Sequence, residues 1–152
     1  MTNRTAFLDM IAHSEIGSAL LEVSDDGYNV LVGSTPSKPL LFGSYENHPN
    51  IYNKTCNSTA AGRYQLLYRY YLYYKPLLKL PDFSPASQDA IALQQIRERH
   101  ALDDIDAGRF SEAVAKVSNI WASLPGAGYS QHENKLADLQ LAYTNAGGTL
   151  GA

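Results

Sequence analysis

Between Ser18 and Ser58 the chain loses the helical period that governs most of the rest, and this one interruption constrains the fold more than any other feature. Before it, Arg4 to about Ser14 reads as a helix, with Thr2 or Asn3 as its N-cap and Gly17 just past its end. Leu8, Ile11, Ala12 and Glu15 share the i, i+3, i+4, i+7 spacing of one helical face, so a carboxylate ends an apolar stripe. Within the interruption, Tyr28–Val32 and Leu40–Phe42 are short strand candidates separated by the Gly33–Pro39 turn region. Asn47 to Ser58, rich in Asn, Thr and Ser, reads as a surface loop.

Helical signals return afterwards. The pattern predicts an aromatic helix from Ala61 to about Tyr74, stopped near Pro76. Ser84-Pro85 supplies an N-cap and a proline at the first helical position, opening a helix to about His100. Asp103–Ala107 gives one short turn ended by Gly108, and Ser111 can cap a helix reaching Trp121. Pro125-Gly126-Ala127-Gly128 must be a loop, and a last helix is expected from about Gln131 to Ala146, closed by Gly147. The fold class expected is α+β, mostly helical, with a small β region after the first helix. No internal repeat appears, and 152 residues suit one domain spanning 1–152.

Composition excludes several function classes. With 45% apolar and 18% charged residues the chain has a core to bury and is not disordered. A net charge of −3 lacks the basic face that a nucleic-acid binder needs. No stretch reaches the length of a membrane span, so no membrane insertion is expected. Asp9 within the apolar part of the N-terminus argues against a secretory signal. A single cysteine, Cys56, cannot form an internal disulfide and fits synthesis in a reducing cytosol. Eleven tyrosines against four Phe and one Trp give large rings with hydroxyls, a combination that suits a carbohydrate groove and equally a half-buried helix.

Glu15 is the strongest chemical candidate. Burial along its stripe disfavours the charged form, and so does the partial negative charge of the helix end. Both effects raise its pKa. A carboxylic acid still protonated near neutral pH is what glycosidic cleavage requires, because the leaving oxygen must receive a proton. The competing reading is a solvent-exposed glutamate at a helix end. Metal and nucleophile chemistry find no support: His13, His48, His100 and His132 are scattered, and Cys56 has no neighbour at ligand spacing. There is no Gly-x-Ser-x-Gly elbow and no glycine-rich phosphate loop, so no metal and no cofactor is expected.

Four segments in order, AFLDMIAHSE, AGRYQLL, DFSPASQDAIALQQIRER and NIWASLPGAGY, resemble the lambda-type phage endolysins from about Ala6 to Gly148. The resemblance implies a lysozyme-like fold and a lytic transglycosylase. Such an enzyme cleaves the β-1,4 bond between N-acetylmuramic acid and N-acetylglucosamine of peptidoglycan and leaves 1,6-anhydro ends. Its acid lies at the end of the first helix in a Ser-Glu pair, matched here by Ser14-Glu15. No protein nucleophile is needed, whereas ordinary glycosidases use two flanking carboxyl groups.

Asp25, Asp26 and Glu46 lie in the region that would face Glu15 in such a fold, as a second carboxylate or as solvated loop charge. In the AGRYQLL segment Gln65 and Tyr64 are candidates to bond substrate; the alternative is that Gln65 and Arg63 satisfy buried backbone groups. The resemblance makes the 123–129 loop and the 50–57 loop two lips over the glycan. Ser123 and Tyr129 then become substrate-binding candidates, with Trp121 in the core. The run Tyr68, Tyr70, Tyr71, Tyr73 and Tyr74 rings a helix rather than lining one face and reads as packing.

Three positions depart from the family pattern: Ile16 where glycine is common, and Asn29 and Asn47 where aspartate is frequent. The chain is also slightly acidic where several relatives are basic, which weakens attraction to anionic envelope layers. The reading as a whole is a monomer made in the host bacterial cytoplasm and released to the periplasm through a separate holin, without an added wall-binding module. Its rivals are a hydrolytic lysozyme on the same fold and a glycan-binding protein that has lost the chemistry.

Overall fold

In the computed structural model, which describes residues 2–125 and 134–151, seven helices carry the chain: α1 (Asn3–Glu15), α2 (Ser18–Glu22), α3 (Tyr68–Leu77), α4 (Pro85–Glu98), α5 (Leu102–Asp106), α6 (Phe110–Val117) and α7 (Leu136–Asn145). The residues gather into two compact units, Met1–Glu15 with Ala92–Ala152, and Ile16–Ile91.

In the first unit α1 opens on a reciprocal cap. Thr2 Oγ1 accepts the Thr5 N–H at 3.2 Å, and Thr5 Oγ1 accepts the Thr2 N–H at 3.1 Å. Two donors that a helix start leaves orphaned are thereby satisfied. Of the two cap candidates, Thr2 takes the role. Ala6, Phe7, Leu8, Met10, Ile11 and Ala12 are all buried, so the stripe read from the sequence is one side of a helix enclosed almost all round. Helices α5 and α7 pack against it. Phe7 sits edge-on to Phe110 and Tyr143 at 6.0 and 6.4 Å between ring centroids, a favourable aromatic arrangement at the centre of this core.

Polar anchors fix the first turn of α1. Asn3 donates to the Ile105 carbonyl and accepts from the Thr149 backbone, while Arg4 makes a two-pronged contact with Asp106 at 2.9 and 2.8 Å. Helix α6 buries Phe110, Ala113, Val114 and Val117, the i, i+3, i+4, i+7 face. It begins one residue before Ser111 and ends at Val117, short of Trp121, which is buried in the turn that follows. Helix α7 starts at Leu136 because Lys135 is extended, later than expected; Gln131 lies outside the described residues.

The second unit is built around Phe42, Ala61, Leu66, Tyr71, Tyr74, Phe83 and Ile91. The strands expected at Tyr28–Val32 and Leu40–Phe42 do not form as strands. Pairing there is reduced to isolated antiparallel bridges, Val30 with Leu41 and Leu31 with Ala61. Residues 29–32 do bond on both sides, with Leu31 N–H to the Leu40 carbonyl at 2.8 Å and Gly62 N–H to the Val30 carbonyl at 2.9 Å. A longer ladder is cut off by the left-handed turn at Gly33 and by Pro36 and Pro39, which have no N–H to give. Helix α2, which no helical period in the sequence announces, is only five residues long.

The helix expected from Ala61 begins instead at Tyr68. Ala61 and Leu66 exchange both backbone bonds, at 3.0 and 2.9 Å, around Gly62 and Gln65, which have φ of +88° and +52°. Left-handed backbone cannot be part of an α-helix, so α3 starts only after Leu67, and it runs past Pro76 to Leu77. A second constraint favours Gly62: a Cβ there would lie 2.3 Å from Gln88 Oε1, which would have to move. Within α3, Tyr71 and Tyr74 are buried while Tyr70 and Tyr73 are exposed, so the tyrosine run packs by one face.

Helix α4 starts at Pro85 as expected, with Ser84 ahead of it and Asp82 accepting from Ser84 N–H and Ser87 Oγ at 3.0 and 2.9 Å. It ends at Glu98, before His100, whose φ of +58° closes it. Two of the departures from the family pattern have their own partners: Asn29 Oδ1 accepts the Asp25 N–H at 2.9 Å, and Asn47 Oδ1 accepts from Lys75 at 3.3 Å and Tyr71 at 3.4 Å.

Candidate active site

Helix α1 ends on Glu15, which puts a carboxyl at the close of a buried helix rather than on a solvated face. Gly17, with φ of +89°, turns the chain immediately afterwards. Glu15 is half-buried. Burial lifts its pKa from the ordinary 4.5 to about 7, and a hydrogen bond from Ser123 partly opposes the rise. Near neutral pH the neutral and charged forms of this carboxyl are therefore both well populated, the condition for a group that must give a proton and take one back.

Ser123 reaches Glu15 because the turn after α6 is pinned by apolar anchors. Trp121 and Leu124 are buried on either side of it, and Leu124 N–H bonds the Trp121 carbonyl at 3.1 Å. The Ser123 hydroxyl donates to Glu15 Oε2 at 2.5 Å. Ser14 Oγ lies 2.7 Å from Ser123 Oγ, and the Asn134 side-chain amide donates to Ser14 Oγ at 3.0 Å and to the Ser14 carbonyl at 3.2 Å. The Asn134 backbone N–H bonds the Ser123 carbonyl at 2.8 Å. The described partners around the carboxyl are thus hydroxyls and an amide, all neutral.

Of the residues singled out in the sequence, Glu15, Ser14 and Ser123 come together. Tyr64 and Gln65 form a separate group in the second unit. The Tyr64 hydroxyl is buried, donates to Asp89 Oδ1 at 2.6 Å and accepts from Arg63 Nη1 at 3.1 Å. Burial and the Asp89 carboxylate hold it firmly protonated. Tyr28 donates to the same Asp89 oxygen at 2.9 Å, and the Arg63 guanidinium lies over the rings of Tyr28 and Tyr64 at 5.2 and 5.7 Å. Gln65 is half-buried, and its amide nitrogen bonds the carbonyls of Gly62 at 2.8 Å and Val30 at 3.3 Å. Together with the bond from Arg63 Nε to the Asp26 carbonyl at 2.9 Å, this makes AGRYQLL a segment that satisfies backbone groups. Tyr129 lies outside the described residues, as does the 126–133 part of its loop.

Asp25, Asp26 and Glu46 are exposed. Asp25 accepts from the Tyr45 hydroxyl and Asp26 faces Arg63 at 3.4 Å. Among the described residues, no group of three or more His, Cys, Asp or Glu is placed to hold a metal ion. Nor, among them, is any helix long and apolar enough to cross a membrane. Sequence reasoning missed Asn134 and Asp89. Asp89 sits one turn into α4, but nothing local in the sequence marks its partners. Asn134 is 120 residues from Ser14 in the chain and carries no motif.

A family model described as Endolysin matches residues 5–150. The chain belongs to the endolysin family. This endolysin is 47% identical over 154 residues to the endolysin of Escherichia phage P2, spanning 96% of this chain and 93% of that protein. It is 49% identical over 151 residues to the endolysin of Escherichia phage lambda, spanning 97% and 92%. Among solved structures it is similar to bacteriophage lambda lysozyme complexed with a chitohexasaccharide, with a TM-score of 0.88 at 49% identity, covering 97% of this chain and 96% of that one. A second structure of lysozyme from bacteriophage lambda aligns with a TM-score of 0.85 at 48% identity, with the same coverage. The endolysin therefore has the mostly helical lambda lysozyme fold.

Proposed function

We propose that this endolysin cuts the glycan strands of peptidoglycan as a lytic transglycosylase, with Glu15 as its one acid and base. That it is an enzyme of the bacterial cell wall follows from its family; the chemistry of the cut is the proposal. Glu15 in its neutral form gives a proton to the glycosidic oxygen as the bond from muramic C1 to that oxygen breaks. The muramic C6 hydroxyl oxygen bonds to C1, and its proton passes to the Glu15 carboxylate. The acid is regenerated, no water is consumed, and a 1,6-anhydro end remains.

The observation that carries this reading is a half-buried carboxyl held at about 7, among described partners that include no second carboxylate. A hydrolytic or double-displacement route relies on two carboxyl groups flanking the bond. The glycan held by the similar lambda lysozyme supports an extended saccharide as the ligand class. Hydrolysis by the same fold is favoured by that relative's description as a lysozyme. In the proposed setting the whole chain works as one catalytic domain and a monomer, reaching the periplasm through a separate holin. Tyr129 remains the candidate for a contact along the strand, since Tyr64 and Gln65 are engaged by Asp89, Gly62 and Val30, and Ser123 bonds Glu15.

End-group analysis separates the two chemistries. Mass spectrometry of purified peptidoglycan digested to completion should show muramic ends lighter than the hydrolysed product by one water. Reducing muramic ends would overturn transglycosylation in favour of hydrolysis.

A further inference from the structure

The row Asn134, Ser14, Ser123 ends on Glu15, and its direction can be fixed atom by atom. The Asn134 side-chain amide lies 3.2 Å from the Ser14 carbonyl oxygen, which can only accept. The group facing it must be the NH2, and the same nitrogen then donates to Ser14 Oγ at 3.0 Å. In the Ser14–Ser123 pair at 2.7 Å either hydroxyl could donate, but Ser123 has only one hydrogen and spends it on Glu15, so Ser14 is the donor there. Ser123 in turn has its one hydrogen for Glu15 Oε2. Every donor points toward the carboxyl. The arrangement closes on itself, because the Asn134 backbone N–H bonds the Ser123 carbonyl at 2.8 Å.

We propose that Ser123 is a positioning residue for the acid: its hydroxyl, held in one direction by Ser14 and Asn134, occupies Glu15 Oε2 as a donor and leaves the transferable proton on Oε1. An oxygen that accepts such a bond is the poorer place for the carboxyl hydrogen, so the neutral form is a single tautomer with its proton on the other oxygen. When that proton leaves, the same bond becomes charge-assisted and supports the carboxylate that must next act as base. The row thus offsets part of the cost of charging a buried group without placing a cation beside it. The charged and titratable groups on α1 and on the elements that touch it are Arg4, Asp9 and His13 in α1 itself, Asp103, Asp104 and Asp106 in α5, Glu112 and Lys116 in α6 and Asp138 in α7; none is a cause of the shift at Glu15, which comes from burial and Ser123. The inference rests on Glu15 being the acid of the proposed function.

The test is the titration of the Glu15 side-chain carboxyl by 13C NMR, run alongside the pH profile of kcat/KM on soluble peptidoglycan fragments. In Ser123→Ala the titration midpoint should rise by about one pH unit, the scale of one hydrogen bond to a charged group. The high-pH limb of kcat/KM should move with it while KM changes little, and Ser123→Thr should restore both. Ser14→Ala and Asn134→Leu, which leave the Ser123 hydroxyl in place but undirected, should move the midpoint upward by a smaller step. They carry the same readout if Ser123→Ala does not fold. An unmoved midpoint in all three, or a raised KM with an unmoved midpoint, overturns the positioning role and makes Ser123 a substrate contact or a packing residue. The titration needs no turnover, so it reads the row even if Glu15 is not the acid; loss or survival of cleavage in Glu15→Gln reads the acid independently of the row.

Discussion

Replacing Glu15 by Gln should stabilise the protein at alkaline pH and leave its stability almost unchanged in acid. The folded state holds this carboxyl at about 7, against 4.5 when exposed. Between those values the folded chain binds a proton that the unfolded chain has released, so each step upward in pH costs folding stability. The contribution of the neutral group is fully present below 4.5, is lost progressively through the window, and is gone above about 7. A shift of that size corresponds to about 3 kcal/mol, a ceiling because Glu15 is half-buried and water can relieve part of the penalty. Glutamine keeps the shape and the carbonyl that accepts from Ser123, but it has no charge to bury. For a chain of this length the difference in midpoint between variant and parent should grow from near zero at pH 4 to at most roughly 6–12 °C at pH 9. Thermal unfolding followed by circular dichroism at half-unit steps of pH measures it, and other titrating groups cancel in the difference. A gap that stays constant from pH 4 to 9 would refute the claim that burial, rather than fold-wide charge, sets the acid.

Two further outcomes follow from the second unit. His48 is buried and bonds the Leu66 carbonyl through Nε2 at 2.7 Å while Nδ1 accepts the Asn50 N–H at 3.0 Å, so the ring is neutral and burial lowers its pKa. Its stabilising contribution should be full above about 6.5 and fall as pH drops toward the folded-state value; urea unfolding at pH 5 and 7 should show a pH-dependent loss in the parent that His48→Gln lacks. Gly62→Ala forces a Cβ to within 2.3 Å of Gln88 Oε1 at a φ of +88°, and should cost about 1–3 kcal/mol in denaturant titration; a neutral result would mean that Gln88 moves aside freely.

The parts of the fold legible in the sequence are those specified by neighbours a few residues away. The Ser84-Pro85 start of α4, the apolar face of α6 and the enclosed α1 all follow from local period and capping. The helix expected from Ala61 failed because Gln65 adopts a left-handed backbone, a choice imposed by its bonds to Gly62 and Val30 rather than by its own preferences. The expected β region shrank to single bridges because prolines and a glycine turn interrupt the ladder. At the site, the carboxyl ending an apolar stripe could be read directly. Tyr64 could not be seen to spend its hydroxyl on Asp89, nor could Asn134 be placed beside Ser14, since both pairings depend on tertiary contacts that no local pattern encodes.

The most direct measurement is the rate at which purified Glu15→Gln releases soluble fragments from isolated peptidoglycan, compared with the parent at pH 6. With no hydrogen to offer the leaving oxygen, the variant should retain less than about one part in a hundred of the parental rate, the low end of what general acid catalysis supplies. It should still pull down with the insoluble wall. A folded variant that clears the wall as fast as the parent would mean that the proton comes from elsewhere.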